Sequence, residues 1–238
     1  GLEDWPTGYG SPGYGAAGEW NDINATNSLW YLVELASNQA PTALALSTTS
    51  FNENIAAAST VATLSTTDAD SSDSHTYSLV TGTGDTDNNS FTIDGSSLKI
   101  KASPDYETKS SYSIRLQTTD SGGESYVEAF TLNVNNINET PTALALSTTS
   151  FDENIAAAST ITYLSTTDAD SSDTHTYSLV TGTGDTDNNS FTISEIQGTL
   201  FFDGSVLQIK DSPDYETKSS YSIRLQTTDS GGESYAKA

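Results

Sequence analysis

The sequence predicts an all-β protein, built from two antiparallel β-sandwiches in tandem with about seven strands in each. Short segments with apolar residues at every second position recur along most of the chain, as expected for strands with one buried face. No segment shows a sustained helical period. A long internal repeat indicates that the same domain occurs twice.

The repeat sets the predicted domain boundaries. Residues 41–93 and 141–193 differ at five positions, and residues 105–126 and 214–235 are identical. The second copy also carries an insertion, Ser194–Phe202, which either extends a hairpin or covers a face of the sandwich. Three regions follow, in chain order: a distinct N-terminal piece at 1–36, repeat 1 at 37–138 and repeat 2 at 139–238.

Alternating apolar residues predict the strands of repeat 1. They are, in order, Thr42–Ser47, Val61–Leu64, His75–Val80, the segments of Phe91 with Ile93 and of Leu98 with Ile100 around an Asp94-Gly95 turn, the segment of Tyr112, Ile114 and Leu116, and the segment of Phe130, Leu132 and Val134. The second copy stops at Ala238, before its counterpart of the last strand. We therefore expect an open sheet edge there, and a sequence that is a piece of a longer protein.

Composition excludes several partners. With 32 acidic and 8 basic residues, the net charge is −24, which disfavours nucleic acid and anionic membrane surfaces. The chain lacks cysteine, so a bound metal is the natural way to staple its domains. No apolar run approaches the ~20 residues of a spanning helix. The Ser-, Thr-, Asn- and Gly-rich composition is typical of a secreted, bacterial surface protein.

The N-terminal piece carries a motif of its own, Trp20-Asn21-Asp22, followed by the alternating segment Tyr31–Leu35. With the upstream Glu3-Asp4, these residues resemble the C-terminal end of a C-type lectin-like domain. The resemblance implies that Glu3, Asn21 and Asp22 ligate a calcium ion that also holds sugar hydroxyls. Alternatively, Trp20 anchors a core and Asn21-Asp22 form a turn.

Paired carboxylates recur in both repeats. Asp68 and Asp70 flank one residue, as do Asp105 and Glu107, and such pairs face the same side of an extended strand. Carboxylates held close together repel each other strongly without a counter-ion. Calcium takes about six to eight oxygen ligands, so a site shared between two domains is a natural solution. The alternative for the stretch from Asp68 to Asp73 is a solvated turn.

Five motifs in order, most of them present twice, resemble cadherin domains, including the cadherin-like domains of bacteria. In repeat 1 they are Phe51-Asn52-Glu53-Asn54, Asp68-Ala69-Asp70, Asp105-Tyr106-Glu107, Thr119-Asp120-Ser121-Gly122-Gly123 and the joint Asn136-Ile137-Asn138-Glu139-Thr140-Pro141. The resemblance covers about residues 39–238. It implies immunoglobulin-like sandwiches whose joints bind calcium.

Carried over residue by residue, the resemblance gathers nine ligands at the joint between the repeats: Glu53, Asp105, Glu107, Asn136, Asn138, Glu139, Asp168, Asp170 and Asp229. Asn136 stands where the family has Asp, which implies fewer charges. The joint above repeat 1, with Asp68, Asp70 and Asp120, is expected to bind calcium weakly. Below repeat 2, the set Glu153, Asp214 and Glu216 is expected to be incomplete.

These observations favour an extracellular or cell-surface adhesion or spacer module, rigidified by calcium. The alternative is a calcium-dependent module that binds polysaccharide, for which Tyr106 and Tyr215 beside the acidic pairs would be a sugar platform. The expected partners are calcium ions and either like repeats on another chain or a polysaccharide. The two histidines, His75 and His175, lie in strand patterns, so we expect no enzyme.

Overall fold

The computed structural model describes residues 37–196 and 204–238. Residues 39–238 form one compact unit that contains both repeats. The predictions for residues 1–36, with Glu3, Asn21 and Asp22, lie outside the described residues. No helix in the described ranges is long and apolar enough to cross a membrane.

Repeat 1 folds into eight strands. They are β1 (Ala43–Leu46), β2 (Ser50–Asn52), β3 (Thr60–Thr67), β4 (Thr76–Leu79), β5 (Phe91–Asp94), β6 (Ser97–Ile100), β7 (Ser111–Thr119) and β8 (Ser125–Asn135). One sheet has the order β1-β3-β6-β5 and the other β2-β8-β7-β4. Pairing is antiparallel except between β2 and β8, which run parallel.

Repeat 2 contains seven strands among the described residues. They are β9 (Ala143–Leu146), β10 (Thr160–Thr167), β11 (Thr176–Leu179), β12 (Phe191–Ile196), β13 (Gly204–Ile209), β14 (Leu225–Thr228) and β15 (Ser234–Lys237). The sheets are β12-β13-β10-β9 and β11-β14-β15. One 3-10 turn precedes a strand in each repeat, at Asn88–Ser90 and Asn188–Ser190.

The predicted alternation forms the core. In β7, Tyr112, Ile114 and Leu116 are buried while the residues between them face outward. In β8, Leu132 and Val134 are buried and Phe130 packs against the core from a partly exposed position. The all-β sandwich prediction is therefore confirmed, and the Asp94-Gly95 turn joins β5 to β6 as expected.

Sequence reasoning missed β2, which is three residues long and too short to show alternation. It also left the role of the insertion open. The structure shows that the described part of the insertion lengthens a hairpin, because Glu195 pairs with Ser205 and Ile196 with Gly204. The corresponding hairpin of repeat 1 ends at the pair Asp94 and Ser97.

Candidate metal centre

Glu53 is the best-buried carboxylate of repeat 1, with 3% of its surface exposed. The parallel pairing of β2 with β8 brings it beside the start of the linker. Its Oε1 accepts a hydrogen bond from the Ile137 N–H at 2.8 Å, and its Oε2 accepts one from the Tyr106 N–H at 2.7 Å. Glu53 thereby ties the linker to the loop that carries Asp105 and Glu107.

Asp105 and Glu107 complete a first carboxylate group with Glu53. One oxygen of each lies within 4.8 Å of the other two. Hydrogen bonds from the Thr108 N–H and hydroxyl lower the pKa of Asp105. Desolvation raises the pKa of Glu107, and the neighbouring charge of Glu53 raises it further. The three carboxylates therefore lie close enough to repel one another, and each offers an oxygen that could bind a metal ion.

A second group joins the two repeats. Oxygens of Glu107 from repeat 1, Glu139 from the linker and Asp170 from repeat 2 lie within 4.8 Å of one another. The Glu139 N–H also donates to Asp170 Oδ2 at 2.8 Å, and Asn136 Nδ2 donates to Glu107 Oε1 at 3.2 Å. The predicted linker residues Asn136 and Glu139 thus lie against both predicted acidic pairs.

Glu139 has the most strongly perturbed carboxyl group of the joint. Its Oε1 accepts a hydrogen bond from Asn54 Nδ2, whereas its buried Oε2 has no partner among the described residues. Desolvation raises the pKa of Glu139 to about 7, and the charges of Glu53, Asp170 and Glu107 add to this. A cation bound at Oε2 would offset both the cost of desolvating the Glu139 carboxylate and its repulsion by the neighbouring carboxylates.

A third group lies on the repeat 2 side and consists of Asp168, Asp173 and Asp229, again with oxygens within 4.8 Å. The linker reaches it through Asn138, whose Nδ2 donates to Asp229 Oδ2 at 3.2 Å. His175 Nε2 lies 2.9 Å from Asp168 Oδ2. All nine residues predicted for this joint are therefore found in or beside one of the three groups.

Sequence reasoning did not include Asp173 among the ligands, and for the equivalent stretch of repeat 1, Asp68 to Asp73, it left a solvated turn open as the alternative. The turn exists, because the Asp173 N–H donates to the Asp170 carbonyl at 3.0 Å. That turn directs the Asp173 carboxylate toward Asp168 and Asp229. The only signal in the sequence is the spacing of five residues from Asp168, which gains meaning once the turn is known.

Comparison with known proteins shows which known fold this chain resembles. Residues 47–135 match the family model of the cadherin domain. The first two domains of human protocadherin-24 superpose with a TM-score of 0.59 at 19% identity, covering 85% of this chain and 94% of that one. Domains 3–6 of protocadherin gamma B2 superpose with a TM-score of 0.57 at 16% identity, covering 82% of this chain and 46% of that one.

The chain folds as tandem cadherin-like domains. It spans less than half the length of several multi-domain structures that it matches, including protocadherin gamma B4 at 32% and gamma B7 at 48%. A search of curated proteins gave no match. The likeness to cadherin structures therefore establishes the fold, while the chemistry has to be argued from the joint itself.

The cadherin-like repeats carry two further acidic groups. Above repeat 1, Asp68, Asp73 and Asp120 form a group like that of Asp168, and Asp70 Oδ2 accepts from the Gln39 N–H at 2.7 Å. Below repeat 2, Glu153, Asp214 and Glu216 come together as well, but all three are exposed. The Gln39 N–H thus donates to Asp70 in the same way as the Glu139 N–H donates to Asp170.

The donor set of the joint fits calcium. It consists of carboxylate and amide oxygens, the hard ligands that this ion prefers. Three buried side-chain oxygens lack a hydrogen-bond partner within the described ranges, and all belong to these groups: Asp73 Oδ2, Glu139 Oε2 and Asp173 Oδ2. In the same ranges, Lys99, Lys109 and Lys218 pair with aspartates outside the joint. Among the residues that the structure describes, no lysine or arginine forms an ion pair with the carboxylates of the joint.

Proposed function

We propose that the joint between the two cadherin-like repeats binds calcium and that this chain is an extracellular adhesion or spacer module stiffened by the ion. The observation that carries the proposal is the group Glu107, Glu139 and Asp170, in which each carboxylate comes from a different part of the chain and the Glu139 Oε2 is buried without a partner. A divalent cation held there links repeat 1, the linker and repeat 2.

The ligands would be the groups described above: Glu53, Asp105, Glu107, Asn136, Asn138, Glu139, Asp168, Asp170, Asp173 and Asp229. Calcium supplies positive charge that offsets their mutual repulsion and the cost of their desolvation. The side chains of this joint already share hydrogen bonds with the linker backbone. Binding would therefore restrain linker rotation instead of creating the joint.

Adhesion is inferred from the cadherin-like fold and from one neighbour, protocadherin gamma B7, whose structure is described as a cis-dimer. Like repeats on another chain are accordingly the partner that we propose. Polysaccharide binding stays the alternative: Tyr106 and Tyr215 are exposed beside acidic groups, but the comparisons give it no support. Bacterial origin and the absence of enzymatic activity stay predictions.

Thermal unfolding with calcium against chelator tests the proposal. Because only the folded joint assembles the ligands, calcium should raise Tm by about 5 °C or more at saturating concentration. Magnesium should do so less well, since it demands a tighter octahedral site. Superimposable melts in calcium and in chelator would contradict the proposal.

The internal repeat provides a matched control. Glu107 and Glu216 occupy the same position in identical segments, but only Glu107 lies against a linker and a following domain in the described structure. Glu107→Gln should remove most of the calcium-dependent rise in Tm, while Glu216→Gln should keep it. Equal losses in the two variants would place the calcium effect elsewhere.

A further inference from the structure

Asn54 links two parts of the joint through separate groups. It follows Glu53 directly, just after β2. Its backbone N–H donates to the Pro104 carbonyl at 2.9 Å, immediately before Asp105. Its side-chain Nδ2 donates to Glu139 Oε1 in the linker, 85 residues further along the chain. Asn54 therefore connects the loop of the first carboxylate group with the linker carboxylate of the second.

The backbone of repeat 1 fixes the position of the Asn54 amide independently of the linker. Asn54 has a φ of 58°, in the left-handed region that asparagine tolerates better than most residues. Asn154, its counterpart in repeat 2, has the same φ of 58°, and its N–H donates to the Pro213 carbonyl at 2.8 Å. Of these two asparagines, only Asn54 hydrogen-bonds to a linker carboxylate within the described residues. The conformation thus belongs to the repeat, and Glu139 takes its orientation from Asn54.

Glu139 is held at its backbone and at its carboxylate. On the backbone side, the Glu139 N–H donates to Asp170 Oδ2 at 2.8 Å. On the carboxylate side, Asn54 occupies Oε1, while Oε2 is buried and has no hydrogen-bond partner among the described residues. A neutral amide holds this carboxylate and leaves its charge in place, whereas an ammonium or guanidinium group would cancel it. One oxygen is therefore fixed and the other is left for a cation.

We propose that Asn54 is a positioning residue of the calcium joint: its amide fixes Glu139 Oε1 and thereby presents Oε2 to the ion as a single-oxygen ligand. Calcium accepts carboxylates through one oxygen or two, and the Asn54 hydrogen bond selects the first mode. Side chains that orient metal ligands typically change metal affinity by about 10- to 100-fold when they are removed. This inference rests on the proposed function and adds to it a residue that acts through a ligand.

Asn54→Gly in the 238-residue chain removes the amide and keeps the backbone, because glycine adopts a positive φ without strain. Calcium affinity, read in a titration from the backbone amide NMR signals of residues 139 and 170, should fall by about tenfold or more. Asn154→Gly is the matched variant, since it makes the same change at the same φ, and it should leave that affinity unchanged. Unchanged or tighter binding by Asn54→Gly would overturn the proposal, and so would equal losses in the two variants.

Combination with Glu139→Ala separates positioning from a general effect on the fold. If Asn54 acts through Glu139, the two substitutions should not be additive. Asn54→Gly should then weaken calcium binding no further in the Glu139→Ala background. The same additional loss in both backgrounds would overturn the proposal, because Asn54 would act on the joint by another route.

A measurement in chelator provides a readout that needs no calcium. The side-chain amide NMR signal of Asn54 should move when Glu139 is replaced by alanine, whereas the signal of Asn154 should stay. An Asn54 signal that does not move would overturn the proposal, since the hydrogen bond would then be absent in solution. Absence of calcium binding by the unaltered chain would instead contradict the proposed function, and this inference with it.

Discussion

At the scale of single residues, Glu139 carries the clearest physical signature of the joint. It is one of three described residues with a buried, unpartnered side-chain oxygen, and its raised pKa reports desolvation among like charges. The sequence identified Glu139 only as an acidic linker residue. Its burial depends on Asn54, Asp170 and Glu107, which come from distant parts of the chain.

Glu139 makes stability in chelator depend on pH. Its pKa is about 7 in the folded protein against an ordinary value of 4.5. Below pH 4.5 the Glu139 carboxyl is protonated in both the folded and the unfolded protein. Above about pH 7 it is ionised in both, and this ionisation destabilises the folded protein. Stability should therefore fall as pH rises from 4.5 to about 7.

Melts across this pH range in chelator test the prediction with Glu139→Gln as the comparison. The variant lacks the ionisable group, so its Tm should fall less steeply than that of the wild type. Its Tm at pH 7.5 should equal or exceed the wild-type value in chelator, and calcium should raise it less. Parallel pH profiles would show that Glu139 ionises without penalty.

At the scale of elements, turns and strand ends position the site. The turn between β14 and β15 carries Asp229 and Gly231, and the linker side chain of Asn138 packs directly against Gly231. A Cβ at Gly231 would overlap the Asn138 amide. The glycine here is required by close approach and not by backbone conformation.

Gly231→Ala should therefore displace Asn138 and loosen the joint. We expect a loss of about 1–3 kcal/mol in the free energy of unfolding in calcium, as for other overpacked contacts. Calcium affinity, measured by isothermal titration, should fall in parallel. Gly122→Ala, in the same turn of repeat 1, is the matched variant and should leave the affinity of the joint between the repeats unchanged. Equal effects would disprove the contact's role.

At the scale of the whole molecule, stiffness is the property that calcium should change. The chain has a net charge of −24, which makes repulsion across the joint strong without calcium. Because the chain has no cysteine, spin labels can be attached only at cysteines introduced by mutation. Thr131 and Thr192 are exposed strand residues, one in each repeat. They report the distance between the two repeats without touching the joint.

Calcium should narrow the distance distribution between labels at Thr131→Cys and Thr192→Cys, measured by pulsed electron resonance. Chelator should broaden it, because repulsion between uncompensated carboxylates favours many linker conformations. Asp170→Asn in the labelled chain should abolish the narrowing, and Asp70→Asn should preserve it. A distribution that is narrow without calcium would show that hydrogen bonds alone rigidify the joint.

By itself, the sequence determined the sandwich fold and the duplication, while the nine residues named for the joint came from the resemblance that its motifs carry. Alternation fixes which strand face is buried, and the duplication is visible in the two near-identical stretches, so both features follow from local pattern. Only the tertiary structure decided that the acidic side chains of the joint form three separate groups, that Asp173 belongs to one of them and that the Glu139 Oε2 is buried. Such features depend on contacts between residues far apart in sequence, and the local sequence pattern does not reveal those contacts.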